Sequence, residues 1–344
     1  MTPGLQVIAP GLHSTIQDLG RRGFQDIGVP LSGALDRVGF TLANALVGNA
    51  ANVPALEILV QGPLLEVVAA SLRVSLVGAE SGLVIEGEPA LTMPPGQSTR
   101  LTRGQRIRIA TLGRTFCAYL AVEGGFDVAP CLGSAATYRR NRLGGFQGRA
   151  LEPGDVLPVR KQEADSRPEL ALAEAYDARL DQPIRVVLGP QQDHFTADAV
   201  NTFLSAAYAV AVQADRMGFR LDGPKLAHAK GYDIVSDGVV AGAIQVPGSG
   251  QPIVMLADAQ TTGGYAKIAT VISADVPVLA RRRPRTAVRF AAVTQAEAEN
   301  IRREQEDDLR NWISRLQTVP EVPVVDTAAL QASNLIDGVV NALD

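Results

Sequence analysis

Between Leu72 and Val122 the chain is cut into short apolar or alternating runs: Leu72–Val77, Leu83–Glu86, Arg106–Leu112 and Cys117–Val122. Gly, Pro and polar residues such as Met93-Pro94-Pro95-Gly96 separate them. Runs this short cannot present a helical stripe to a core, whereas strands rich in Val, Ile and Leu at close spacing can, so a barrel or sandwich is expected. Helices should be few. One is expected from about Asp36 to Gly48, with Val38, Leu42, Ala45 and Leu46 on one face and a glycine suited to a left-handed cap. A second is expected near Thr196–Leu204.

At 344 residues the chain exceeds the usual single-core size, which favours two packed units. Between Lys161 and Asp181 it becomes charged and Ala-rich without a core signal, as a linker would, one that could be helical. The expected organisation is therefore a β-rich unit over 1–160, a linker over 161–183, a β-barrel-like unit with the candidate site over 184–293, and a helical extension and tail over 294–344. Thr294-Gln295-Ala296-Glu297 reads as a capping box. The helix it opens is expected to run to about Leu316, with Ile301, Leu309, Trp312, Ile313 and Leu316 as its apolar positions, and to cover a surface rather than fill a core. Val319–Val325 reads as an extended connector, and Leu330–Leu343, apolar on one side, as a segment that docks on its own chain, a twin or a partner.

A net charge of −4 with scattered basic residues gives no footprint for nucleic acid. The one dense basic cluster, Arg281-Arg282-Arg283 with Arg285, is broken by Pro284 and reads as a solvated turn or as a site for an anion or partner. Cys117 and Cys131 cannot staple a chain this long and read as inert thiols. With no basic-headed leader and no run near the ~20 apolar residues that span a bilayer, a cytoplasmic protein without membrane contact is expected. His13, His194 and His228 stand apart and no Cys-x-x-Cys exists, so no metal site is expected. Neither a Gly-x-Ser-x-Gly elbow nor a Walker Gly-Lys-Ser/Thr is present.

Asp36-Arg37-Val38-Gly39-Phe40-Thr41-Leu42 is echoed by Asp215-Arg216-Met217-Gly218-Phe219-Arg220-Leu221 at five of seven positions, which points to duplicated architecture. A weaker echo links Asp18–Phe24 with Asp258–Tyr265 in permuted order. The Asp-Arg pairs could satisfy backbone groups at a strand–turn junction, or Arg37 and Arg216 could hold a substrate carboxylate or phosphate by their forks.

The densest polar stretch follows the apolar run Ile253–Leu256, where Asp258, Gln260, Thr261, Thr262, Gly263, Gly264, Tyr265 and Lys267 come in quick succession, with Gln245 just upstream. A rigid strand delivering such side chains is where sites are built. Asp258 is a candidate base or orienting group, and Gln245 and Gln260 suit an amide or urea-like group. Gly263 and Gly264 could let backbone N–H groups approach an oxyanion or phosphate, with Lys267 neutralising it and Tyr265 closing the pocket. An ordinary turn is the alternative.

Three groups of residues resemble the opening of the allophanate hydrolase subunit 2 family: Thr15–Arg21, Gly28-Val29-Pro30 with Ser32–Asp36, and Ala43-Asn44 with Leu46–Asn49. Tyr119–Val122 with Gly124-Gly125, Gly154-Asp155, Asp215–Gly218, Gly242–Pro247 and Asp258–Tyr265 continue the resemblance, which spans about Leu5 to Phe290. That family is also known as biotin-dependent carboxyltransferase-like, KipA-like or C-type 5-oxoprolinase. The resemblance implies a mainly β fold with a few helices, made of two cyclophilin-like, β-barrel-like, pseudo-duplicated units plus the C-terminal helical extension. It also implies a partner resembling allophanate hydrolase subunit 1, the KipI-like or B-type 5-oxoprolinase protein.

Three activities follow as expectations of the resemblance. The first is ATP-dependent cleavage of 5-oxoproline, a small amide, to glutamate, with ATP shared with the partner. The second is transfer of a carboxyl group to urea from carboxybiotin on another chain, since no Met-Lys dipeptide marks a biotinylated lysine here. The third is binding of an inhibitor of a sensor kinase. The sequence departs from the family pattern at Arg281, Arg285 and Ala136, where Gln, Gly and Ser are usual.

Overall fold

The computed structural model describes residues 2–176 and 179–320, so most of the expected connector and all of Leu330–Leu343 lie outside the described residues. In the first half the chain alternates between two antiparallel sheets. One has six strands, in the order Val156–Pro158, Gly4–Ala9, Leu64–Val67, Arg106–Arg108, Leu83–Ile85, Leu91–Met93. The other has five, in the order His13–Gln17, Ala55–Leu59, Cys117–Val122, Ser71–Val77, Ser98–Thr102.

The two-residue period of a strand assigns its faces. Leu56, Ile58, Ala118, Leu120 and Val122 enter the core between the two sheets. Ala55, Leu59, Cys117, Tyr119 and Ala121 point the other way, into a second core shared with the rest of the chain. Both strands are buried along their whole length, which explains why their sequences read as nearly unbroken apolar runs.

The second half is built on an eight-stranded sheet ordered Ala287–Val288, Tyr208–Ala214, Gly218–Asp222, Ile253–Met255, Ala243–Gln245, Lys267–Val271, Ile184–Leu188, Phe290–Ala292. Only Arg289 separates the two edge strands in sequence, so the edges must meet and the sheet is rolled into a nearly closed barrel. A two-stranded ribbon, Asp233–Gly238 paired with Thr262–Tyr265, is largely exposed beside it. The two halves share one core: Phe116 of the first meets Phe219 of the second edge to face, centroids 5.4 Å apart.

Four α-helices are present among the described residues: α1 (Arg37–Leu46), α2 (Ala197–Ser205), α3 (Val276–Ala280) and α4 (Gln295–Ser314). The Asp36 and Thr196 side chains cap α1 and α2, and Gly48 takes the left-handed conformation just beyond α1. The Thr294–Glu297 capping box opens α4, which ends at Ser314. None of its residues is fully buried; Leu309, Trp312 and Ile313, with Leu316 just beyond, rest on the shared core.

Two expectations are corrected. The described part of the linker region is extended rather than helical, because its backbone bonds leave the segment: Leu170–Ala171 pairs with Gln317–Thr318, and the Leu172 N–H donates to the Gly96 carbonyl at 2.8 Å. The arginine cluster is only partly a solvated turn, with Arg285 exposed and the first two arginines buried. Arg281 and Arg282 are both 2% exposed; Arg282 donates to the carbonyls of Ala287 and Gln182, and Arg281 faces Asp36.

Candidate functional site

The Asp-Arg echo is real as local geometry and divergent in use. Asp36 Oδ1 accepts from the N–H groups of Val38 and Gly39 at 3.1 and 3.0 Å, and Asp215 Oδ1 accepts from Met217 and Gly218 at 2.8 and 3.2 Å. The same aspartate turn therefore starts a helix in one half and a strand in the other. The arginines part company. Arg37 is half-buried toward Arg302 and Glu306 of α4, and burial first, then Arg22 and Arg302, lower its pKa. Arg216 turns into the shared core.

There Arg216 ties the halves together. Its Nε and Nη2 donate to Asp258 at 2.9 and 3.2 Å, Nη2 also donates to the Gly33 carbonyl at 2.7 Å, and Nη1 donates to Glu57. Glu57 is fully buried on the inner face of its strand, where the Leu35 N–H and the Tyr119 hydroxyl donate to Oε2 at 2.9 and 2.8 Å. Tyr119 in turn accepts from the Asp36 N–H at 2.7 Å. Burial pulls the Arg216 pKa down, but the charges of Asp258 and Glu57 outweigh it and the net shift is upward. Burial, then Cys117, Glu57 and Asp36, push Tyr119 well above its usual range, which keeps it a donor. A buried guanidinium with two carboxylates and a satisfied hydrogen-bond shell is a fixed device: it holds the barrel against the five-stranded sheet.

The polar segment after Leu256 divides around this knot instead of facing one pocket. Asp258 turns inward, with both oxygens engaged by Arg216. Lys267 turns to the ribbon side, where Nζ donates to Asp237 at 2.7 Å while its backbone N–H donates to Gln191 Oε1 at 3.1 Å. That lysine bond first, then the Gly238 N–H, holds the Asp237 carboxyl below its ordinary range. Gln245 is buried beside Gly263, and a Cβ on Gly263 would lie 2.4 Å from Gln245 Nε2, so a larger residue there would displace the Gln245 amide. Gln245 Nε2 and Gln260 Oε1 are both buried without a hydrogen-bond partner among the described residues. Thr262, Gly263, Gly264 and Tyr265 form the ribbon strand; Thr262 and Tyr265 are exposed, and the Thr261 carbonyl accepts from the Val239 N–H at 2.9 Å.

The structure thus gathers Lys267, Gln245 and Gly263 with Gln191 and Asp237 at the base of the ribbon, and sends Asp258, Arg216 and Arg37 elsewhere. Neither Gly263 nor Gly264 has positive φ, and both stand in extended backbone. A phosphate at Lys267 would also meet the Asp237 carboxylate. These residues therefore do not make a triphosphate cradle by themselves. Among the described residues no cluster of His, Cys, Asp and Glu could hold a metal ion, and no helix is long and apolar enough to cross a membrane.

Sequence reasoning overlooked Glu57, Asp237 and Gln191. Glu57 carried a signal: it is the lone charge inside Ala55-Leu56-Glu57-Ile58-Leu59, and a charge in a doubly buried strand needs a partner. Asp237 and Gln191 carried none, since ribbon pairing and the loop after Leu188 bring them to Lys267.

Comparison with known proteins fits this architecture. The pattern of the carboxyltransferase domain, subdomain A and B, matches residues 27–292. The C-type subunit of the Escherichia coli 5-oxoprolinase is 35% identical over 302 residues, covering 88% of this chain and 95% of that protein. The urea amidolyase of Saccharomyces cerevisiae is 28% identical over 95% of this chain but only 19% of its own length. The crystal structure of the Kluyveromyces lactis urea amidolyase superposes with a TM-score of 0.80 at 28% identity, over 91% of this chain and 20% of that one.

Proposed function

Because the chain belongs to the carboxyltransferase domain family, subdomain A and B, we propose that it is the C-type subunit of a 5-oxoprolinase, acting in the cytoplasm with a subunit 1-like partner to open the ring amide of 5-oxoproline and yield glutamate. One observation carries this reading: the similarity to the Escherichia coli 5-oxoprolinase component runs through 95% of that protein, whereas the urea amidolyases extend far beyond the stretch they share with this chain.

The geometry supports a division of labour. Arg216, clamped by Glu57 and Asp258, fixes the position of the segment that follows the strand Ile253–Met255 and so acts as a positioning residue. The groups that would meet a substrate lie at the ribbon base, where Lys267 and Gln245 are buried beneath the ribbon and become accessible only if the ribbon moves. There the Lys267 ammonium can stabilise negative charge on the amide oxygen, and the unpartnered amide of Gln245 offers a donor to the lactam. Tyr265 and Tyr232, 40% and 44% exposed with centroids 6.5 Å apart, flank this group on the solvent side, where a partner protein would close it off from water. ATP enters as a co-substrate that activates the amide, and its phosphates would be held chiefly by the partner, because the ribbon base offers no cradle for them.

A second reading, carboxyl transfer from carboxybiotin on another chain to urea or a similar amide, draws on the urea amidolyase similarity across 95% of this chain. Co-expression with the subunit 1-like partner separates the two. The first reading expects ATP hydrolysis stimulated by 5-oxoproline, with one glutamate formed per ADP. Stimulation by urea alone, dependent on a biotinylated protein, would replace it with the second.

A further inference from the structure

A cavity of about 230 Å³ lies between α1, α3 and α4. The family pattern stops at residue 292, so the α4 wall lies beyond the segment that it matches. Pro277, Val278, Ile301, Leu309 and Trp312 form the apolar part of the lining, and the rest is polar and includes Arg179, Arg185 and Arg281. One of these arginines is set deep. Arg281 is 2% exposed, stacks 4.2 Å over the Tyr176 ring, and leaves Nε buried without an acceptor among the described residues. The Asp36 carboxylate stands 3.5 Å away and already accepts from the Val38 and Gly39 N–H groups and from the Tyr176 hydroxyl.

A buried guanidinium with an unused donor beside a part-apolar hollow is an unfinished recognition site. A carboxylate on an apolar body satisfies both halves of the lining at once. Exposed Glu304 and Asp308 also line the cavity and disfavour a second anionic group, and the lining Arg185 is already held by Asp275. The volume is below that of drug-sized ligands.

We propose that the cavity under α4 binds a small apolar monocarboxylate, with its carboxylate on Arg281 and its body against Trp312. This site needs no 5-oxoprolinase activity and stands or falls separately from it.

Trp312 is the only tryptophan of the chain, so intrinsic fluorescence of the full-length protein reads the site directly. Phenylacetate and hexanoate should change it saturably, whereas 2-phenylethanol, hexan-1-ol and glutarate should bind at least about tenfold more weakly. Arg281→Gln should weaken phenylacetate binding about ten- to a hundredfold, the effect of losing a charged hydrogen-bond partner. Ile301→Phe, on the part-exposed helix, should block binding by filling the cavity while leaving Arg281 in place. No saturable response from the parent protein, equal response to the alcohols, or unchanged affinity in Arg281→Gln would each overturn the proposal.

Discussion

Replacing Arg216 by methionine tests the joint between the halves. The side chain keeps an apolar stem, ends about where Nε stood, and loses four hydrogen bonds: two to Asp258, one to Glu57 and one to the Gly33 carbonyl. Glu57 is fully buried and the Asp258 side chain is 11% exposed, so both carboxylates would be left with no opposing charge in a low-dielectric setting. Breaking a buried pair in this way costs about 3–5 kcal/mol, against a total stability of about 5–15 kcal/mol for a typical domain. Adding Glu57→Gln and Asp258→Asn removes the stranded charges and should recover at least about half of the loss. Removing the surface pair Arg106–Glu66, in comparison, should be hard to detect. Urea unfolding followed by circular dichroism supplies the comparison. A loss below about 1 kcal/mol for Arg216→Met, or a triple variant no more stable than the single one, would rule out Arg216 as the joint.

Cys117 is fully buried, and burial first, then Asp36 and Glu57, raise its thiol pKa, whereas Cys131 is partly exposed; a maleimide should label one thiol of the native protein and both in denaturant, and rapid native labelling of both would count against the core assignment. His13 is held neutral, its pKa lowered from 6.5 to about 4 by burial and then by Arg139 and Arg216. Its contribution is intact above pH 6.5 and is lost as the pH falls toward about 4, by about 3 kcal/mol at most, so His13→Gln should flatten the stability profile in that window. Thr294→Ala removes the α4 cap and should cost about 1 kcal/mol, seen as faster amide exchange in the first turn of α4 and little change elsewhere.

How much was legible in advance followed the range of the forces involved. The strands, the helix starts near Asp36 and Thr196 and the cap at Thr294 rest on short-range patterning that a sequence displays, whereas the barrel-like second half was legible through the family resemblance. The family resemblance was legible because long motifs such as Asp258–Tyr265 survive intact. The grouping of side chains was not. Asp258 and Lys267 are close in the chain and both buried, yet the strand geometry and the ribbon pairing send one to Arg216 between the halves and the other to Asp237 beneath the ribbon. The Asp-Arg echo likewise fixed an identical turn twice while leaving open which arginine would be buried, a choice made by Glu57, 159 residues distant from Arg216. Arg281 and Arg282 looked solvated because a run of arginines carries no sign of the carbonyls and carboxylate that receive it.

If the ribbon base contributes to cleavage of the 5-oxoproline amide, Lys267 is the group whose loss must show it. The decisive experiment measures glutamate formed from 5-oxoproline by the reconstituted complex carrying Lys267→Met, with assembly matched to the parent by size-exclusion chromatography. Turnover should fall by about a hundredfold or more, as for loss of a group that stabilises developing charge, with the complex still intact. Parent-like turnover in an intact complex would remove the ribbon base from the chemistry.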